Sequence, residues 1–169
     1  MGRCNPVING DFQNLTGLIR HPIFNGQPAI GWYEGVPYGW AGIRSVFNVR
    51  EFGNMLFANL HTLTREPPNS VFFQQAVGRS CCGVVALKFY VDNPFPNPAY
   101  TVYSMTHQIL EDDAVVATGV VSGNRSAPRE VQLEARVRPG SQITIRFRKD
   151  AENHAMGITN VKMAGVLRF

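Results

Sequence analysis

The sequence predicts an all-β protein, a two-sheet antiparallel β-sandwich of jelly-roll topology, and three observations carry that prediction. Apolar and polar residues alternate with the two-residue period of half-buried strands in several separate runs. Clusters of glycine, proline and asparagine punctuate the chain between those runs. No segment keeps a helical apolar period over three turns. With 169 residues, 44% of them hydrophobic and 17% charged, the chain suits one compact domain spanning residues 1–169.

In order along the chain, residues 5–12 (NPVINGDF) join Val7 and Ile8 to the turn pair Asn9-Gly10 and then Phe12, which reads as a short edge strand and its turn. Residues 13–44 sustain no period and are interrupted repeatedly by glycine and proline, so a long loop region is expected there. Within it the stretch WYEGVPYGW carries Trp32, Tyr33, Tyr38 and Trp40, including both tryptophans of the protein. Rings on a glycine-rich loop can lie flat against the apolar face of a sugar, which makes these four residues a candidate platform for a glycan or a partner. The alternative is that some of the rings plug the open end of the sandwich, with one tryptophan in each role.

Residues 45–52 and 55–63 are strand-length runs joined at Gly53-Asn54, a hairpin signal. The next stretch, 71–93 (VFFQQAVGRSCCGVVALKFYVDN), holds two β-type runs around a glycine-bearing connection and is expected to form the spine of a sheet. In its second half Val85, Leu87, Phe89 and Val91 share one face, and Ala86, Lys88 and Tyr90 the other. Three prolines make 92–98 a rigid loop. A long strand follows over 99–110, with Tyr103, Met105, His107 and Ile109 on one side and Val102, Ser104, Thr106 and Gln108 on the other. Glu111, Asp112 and Asp113 read as an acidic hairpin turn before a strand over 114–121.

Two further alternating runs have apolar rows Val131, Leu133, Ala135, Val137 and Ile143, Ile145, Phe147. They either pair directly across Pro139-Gly140, placing Glu134 opposite Arg146, or belong to opposite sheets with their apolar rows facing across the core. A closing strand is expected over 158–169.

The net charge of +4 rests on thirteen arginines against three lysines. Arg129, Arg136, Arg138, Arg146, Arg148 and Lys149 are expected to gather positive charge on one surface, and Arg136, Arg138, Arg146 and Arg148 form the candidate surface for an anionic partner. That surface falls short of the dense basic stripe of a nucleic-acid binder, so no nucleic acid is expected. Cys4, Cys81 and Cys82 make no disulfide framework and no CxxC or HxxxH accompanies them, which predicts buried or semi-buried free thiols. Candidate acids Glu34, Glu51, Glu66 and Asp92 and candidate bases His61 and His107 fall at no spacing that links an acid to a base. No catalytic residue, cofactor or metal is expected. No run approaches the eighteen or so apolar residues of a membrane helix, and the start lacks the apolar segment of a signal peptide, so neither membrane insertion nor export is expected.

NGDF at residues 9–12, a tryptophan beyond a variable loop, VFFQQAVG at 71–78 and GITNVKM at 157–163 together resemble the galactose-binding-like jelly rolls of carbohydrate-binding modules, whose pattern opens NGxFE and closes on an Asp-Asn-Val strand. The resemblance spans nearly the whole chain and implies a galactose-binding-domain-like sandwich. Members of that group often hold a structural calcium through the Glu and the Asp of those two motifs. Here the corresponding positions are Gln13 and Thr159, so the family calcium is not expected, although Asp11 and nearby carbonyls offer oxygen ligands. With neither signal peptide nor attached hydrolase in the sequence, the chain resembles jelly rolls of bacteriophage decoration and tail proteins. The function expected is thus a non-catalytic binding and assembly module, made in the cytoplasm and virion-associated. It would be oligomeric or particle-bound, with other protein subunits and a cell-surface or other glycan as partners. The alternative is a dedicated carbohydrate-binding module.

Overall fold

The alternating runs become strands in the computed structural model, which describes residues 5–20, 23–24, 27–28, 32–42, 47–52, 55–60, 72–92, 103–123, 129–149 and 157–169. In chain order the strands are Ile19–Arg20 (β1), Ile23–Phe24 (β2), Gln27–Pro28 (β3), Trp32–Glu34 (β4), Ala41–Gly42 (β5), Phe47–Phe52 (β6), Met55–Leu60 (β7), Phe72–Ser80 (β8), Val84–Asp92 (β9), Tyr103–Glu111 (β10), Ala114–Gly123 (β11), Arg129–Arg136 (β12), Gln142–Lys149 (β13), Gly157–Ala164 (β14) and Val166–Leu167 (β15). No helix occurs among the described residues. A seven-stranded sheet has the order β1-β4-β6-β7-β14-β9-β12, and a six-stranded sheet the order β11-β10-β13-β8-β15 with β5 also against β8. β2 and β3 form a separate ribbon.

The two large sheets stack because each has one apolar face to remove from water. Val85, Leu87, Phe89 and Val91 of β9 face Phe73, Met105, Ile109, Ile143, Ile145 and Phe147 of the other sheet, all of them buried. Phe147 joins the layers, its ring 5.3 Å from Phe73 within its own sheet and 5.1 Å from Phe89 across the core. The expected hairpin of residues 45–63 is present as β6 and β7. The acidic turn at Asp112 and Asp113, both at positive φ, joins β10 to β11.

Several expectations are corrected. The two runs of 71–93 are not neighbours in one sheet: β8 lies in the six-stranded sheet and β9 in the seven-stranded one. Alternation fixes which face of a strand is apolar, and that requirement is met equally by a neighbour alongside and by a neighbour across the core. Residues 81–83 therefore arch from layer to layer, which leaves Cys81 and Cys82 as exposed free thiols rather than buried ones. β12 and β13 likewise fall in opposite sheets, the second of the two arrangements open to the sequence. The closing run is split at Gly165 (φ +80°), so that β14 completes one sheet and β15 the other.

The expected edge strand at Val7 and Ile8 is irregular chain instead. The Gln75 side chain satisfies Ile8 as a strand neighbour would, its Oε1 accepting from Ile8 N at 2.7 Å and its Nε2 donating to Ile8 O at 2.9 Å. NGDF packs directly on the GITNVKM strand. Val161 N donates to Gly10 O at 2.9 Å, and a Cβ on Gly10 would lie 2.3 Å from Val161 O, so only glycine fits. Phe12 is fully buried beside Trp40. Cys4, His61, Glu66 and the loops expected at 67–69 and 93–98 lie outside the described residues.

The edge strand β11 carries exposed Val115, Val116 and Val120. Its free edge is blunted by the register shift opposite Ile109 and Leu110 and by Arg129, whose Nη2 donates to Ser122 O at 3.0 Å.

Candidate binding face of the six-stranded sheet

The outward face of β8, β10, β11 and β13 is built by strand register. Opposed residues of an antiparallel pair share a face, so the pairings Thr118↔Gln108, Gln108↔Arg146, Arg146↔Gln74 and Gln74↔Ala41 define one polar row across five strands. A second row runs Val120, Thr106, Arg148, Phe72. These rows alternate with the buried residues Met105, His107, Ile109, Ile145 and Phe147 and therefore point away from the core. The centre of a sheet face is an uncommon place for such polarity: Thr106 and Gln108 are buried, while Phe72, Gln74, Arg146 and Arg148 are half-buried.

Hydrogen bonding holds part of the row in place and leaves part unmatched. Arg146 Nε donates to Gln74 Oε1 at 2.8 Å, and its Cζ lies 4.7 Å from the Phe72 ring centroid. Gln108 Nε2 donates a long bond, 3.4 Å, to Thr118 Oγ1. Gln108 Oε1 and Arg148 Nε are both buried without a partner, an acceptor and a donor on diagonally neighbouring positions. Buried polar atoms left unmatched cost stability, and these two lie near the centre of the face.

The arginines expected on one surface are divided between two. Arg136 is exposed on β12, facing outward from the seven-stranded sheet, whereas Arg146 and Arg148 face outward from the six-stranded one. Arg138 lies beyond β12, where its Nε contacts Glu111 Oε1 at 2.7 Å and its Nη2 contacts Asp112 Oδ2 at 3.0 Å. The physical cause is the layer change: two runs in opposite sheets turn their polar rows to opposite outer surfaces.

The aromatic stretch is also dispersed. Trp40 is buried among Phe12, Phe73 and Phe147, with its Nε1 donating to Asn9 O at 3.2 Å. Tyr33 on β4 is half-buried against the core and Tyr38 is exposed at a turn. Trp32 is described in its backbone alone, paired with Arg50 in β4 and β6. Among the candidate acids and bases, Glu34 and Glu51 lie on β4 and β6. His107 points into the core with its Nδ1 unpartnered, while the buried Asp92 ends β9 in the opposite sheet. Burial alone lowers the His107 pKa to about 4, so the imidazole is neutral near neutral pH. Among the described residues no three His, Cys, Asp or Glu gather as a metal site would require. Asp11 is exposed and accepts from Gln13 N at 3.1 Å.

Alternation puts Gln108 in a polar row with Thr106, and charge groups Arg146 with the other arginines, but neither says which strands are neighbours, so the two stay unjoined at the level of sequence. The available signal was the pair of polar rows Ser104, Thr106, Gln108 and Thr144, Arg146, Arg148, each opposite an apolar row.

No protein-family model matches the chain, and no curated protein matches it by sequence. Solved structures do. A cyclase from Fischerella sp. TAU in complex with 4-(1H-indol-3-yl)butan-2-one is similar with a TM-score of 0.66 at 13% identity, covering 95% of this chain and 96% of that one. A CBM4 structure gives 0.55 at 13% identity, covering 93% and 97%. The CBM22-1 xylan-binding domain from Paenibacillus barcinonensis gives 0.53 at 12% identity, covering 80% and 90%. At such identities the likeness concerns architecture: the chain is an all-β, two-sheet antiparallel jelly-roll sandwich, galactose-binding-domain-like, of the kind found in carbohydrate-binding modules and in these cyclases.

Proposed function

We propose that the chain is a non-catalytic carbohydrate-binding module whose ligand lies across the outer face of the six-stranded sheet. The observation that carries this reading is the central polar row Thr118, Gln108, Arg146, Gln74 with its unmatched acceptor and donor, Gln108 Oε1 and Arg148 Nε. A hydroxyl both donates and accepts, so adjacent sugar hydroxyls complete both atoms with one kind of group. Both atoms are buried, so a ligand reaches them only after whatever covers them has moved. Carbohydrate-binding modules among the similar structures support the same class of ligand.

Affinity electrophoresis through gels containing neutral and acidic soluble polysaccharides tests this. The wild-type chain is expected to be retarded by at least one of them, and Gln108→Ala to weaken that retardation roughly 10-fold. Free migration through every gel, or undiminished retardation of the variant, removes the reading.

A second reading, an assembly subunit of a larger particle such as a phage virion, is favoured by the exposed Val115, Val116 and Val120 of edge strand β11. It requires an interface of more than about 1,000 Å² in total. Light scattering that shows a monomer up to high protein concentration, together with no binding to particles, counts against it.

A further inference from the structure

We infer that the ligand of this face is an acidic sugar, read through its carboxylate by Arg146 and Arg148; the inference rests on the carbohydrate reading above. The two arginines are two positions apart on β13, the strand between β10 and β8, and share its outward face. The rise of a strand places them roughly 6–7 Å apart. Their cross-strand partners are all neutral: Gln108 and Gln74 flank Arg146, and Thr106 and Phe72 flank Arg148.

Arg138 shows what a structural arginine looks like in this protein. It is 76% exposed, yet both its Nε and its Nη2 are taken up by carboxylates of Glu111 and Asp112. Arg146 and Arg148 are more enclosed and have no such counter-charge among the described residues. Two like charges held side by side in a half-buried setting repel one another, and an anion between them removes that cost.

The two guanidinium groups also present complementary edges. Arg146 has spent its Nε on Gln74 and is fixed above the Phe72 ring, which leaves its two Nη groups for a ligand. Arg148 Nε is unsatisfied but buried, so its Nε–Nη edge becomes available to a ligand only when what covers it moves. Each edge offers two parallel N–H donors, the arrangement that matches the two coplanar oxygens of a carboxylate.

The experiment is isothermal titration calorimetry of the full chain with oligogalacturonide, its methyl ester, neutral cello-oligosaccharide and dextran sulfate. The acid is expected to bind at least 10-fold more tightly than its ester and to weaken as salt rises. Arg146→Gln and Arg148→Gln are each expected to lose roughly 10–100-fold in affinity for the acid. Arg146→Lys, which keeps the charge without the fork, is expected to lose most of the same binding, and Arg136→Gln on the other sheet none. Comparison of acid with ester on the unaltered chain keeps the inference testable should a variant fold poorly. Equal affinity for acid and ester overturns the acidic-ligand inference and leaves the carbohydrate reading standing. Tighter binding of dextran sulfate than of the uronide overturns the carboxylate in favour of sulfate. No binding of any probe, together with free migration through every polysaccharide gel, overturns both.

Discussion

Trp40→Ala is expected to lower the unfolding free energy by about 3–5 kcal/mol, the range for truncating a large buried aromatic, with a matching fall in denaturant midpoint at unchanged slope. The Trp40 ring lies 5.7 Å from Phe12, 5.1 Å from Phe73 and 6.0 Å from Phe147 between ring centroids, so its loss opens a cavity bounded by three other aromatics. It also removes the indole N–H that donates to Asn9 O at 3.2 Å, leaving that carbonyl with Phe12 N alone among the described residues. Asn9 is itself a hub at positive φ, its Nδ2 donating to Asn14 O and Tyr38 O and its Oδ1 accepting from Asn14 N. Trp40→Phe keeps most of the ring volume and is expected to cost far less. Chemical denaturation of both variants beside the wild type measures the difference, and a small effect of Trp40→Ala would remove Trp40 from the centre of the core.

Acidification is expected to destabilise the protein by roughly 3 kcal/mol through His107 alone as the pH falls from about 6.5 to about 4. The sign follows from the direction of the shift. Burial lowers the folded-state pKa from 6.5 to about 4, so over that window the unfolded chain binds the proton and the folded chain does not. The contribution is fully present above 6.5 and disappears progressively below it. The imidazole is 3% exposed, packed edge-on to Phe89 at 5.0 Å, and faces Gly119, where a Cβ would lie 2.3 Å from its Nε2. Neither neighbour offers a charge to stabilise an imidazolium. Protonating carboxylates adds its own acid limb, so the discriminating measurement compares wild type with His107→Leu. The variant is expected to lose less stability between pH 7 and 4.5, and parallel profiles would exclude His107 as the source.

How much of this was legible in the chain depended on the range of the interaction involved. The inner rows of β9, β10 and β13 followed from alternation, because a two-residue period is a property of the strand itself. Whether β8 sits beside β9 or across from it is settled by side chains far away in sequence, such as Phe147 touching both Phe73 and Phe89. The same gap hid the binding face. Gln74, Gln108 and Arg146 become one row only once register is known, and composition drew attention instead to an aromatic stretch whose Trp40 serves the core. The motif pair NGDF and GITNVKM was legible as a resemblance, and its physical content is the contact of Gly10 with Val161.

That contact carries a kinetic consequence. Asn5 Nδ2 donates to Val161 O and Asn5 Oδ1 accepts from Met163 N, bonds that close over 156 and 158 residues of chain. During synthesis Asn5 therefore waits for Val161 and Met163, and the sandwich cannot be latched until β14 is available. Long-range closure of this kind places folding in the slow, millisecond-to-second regime and leaves the inner rows of early strands uncovered meanwhile.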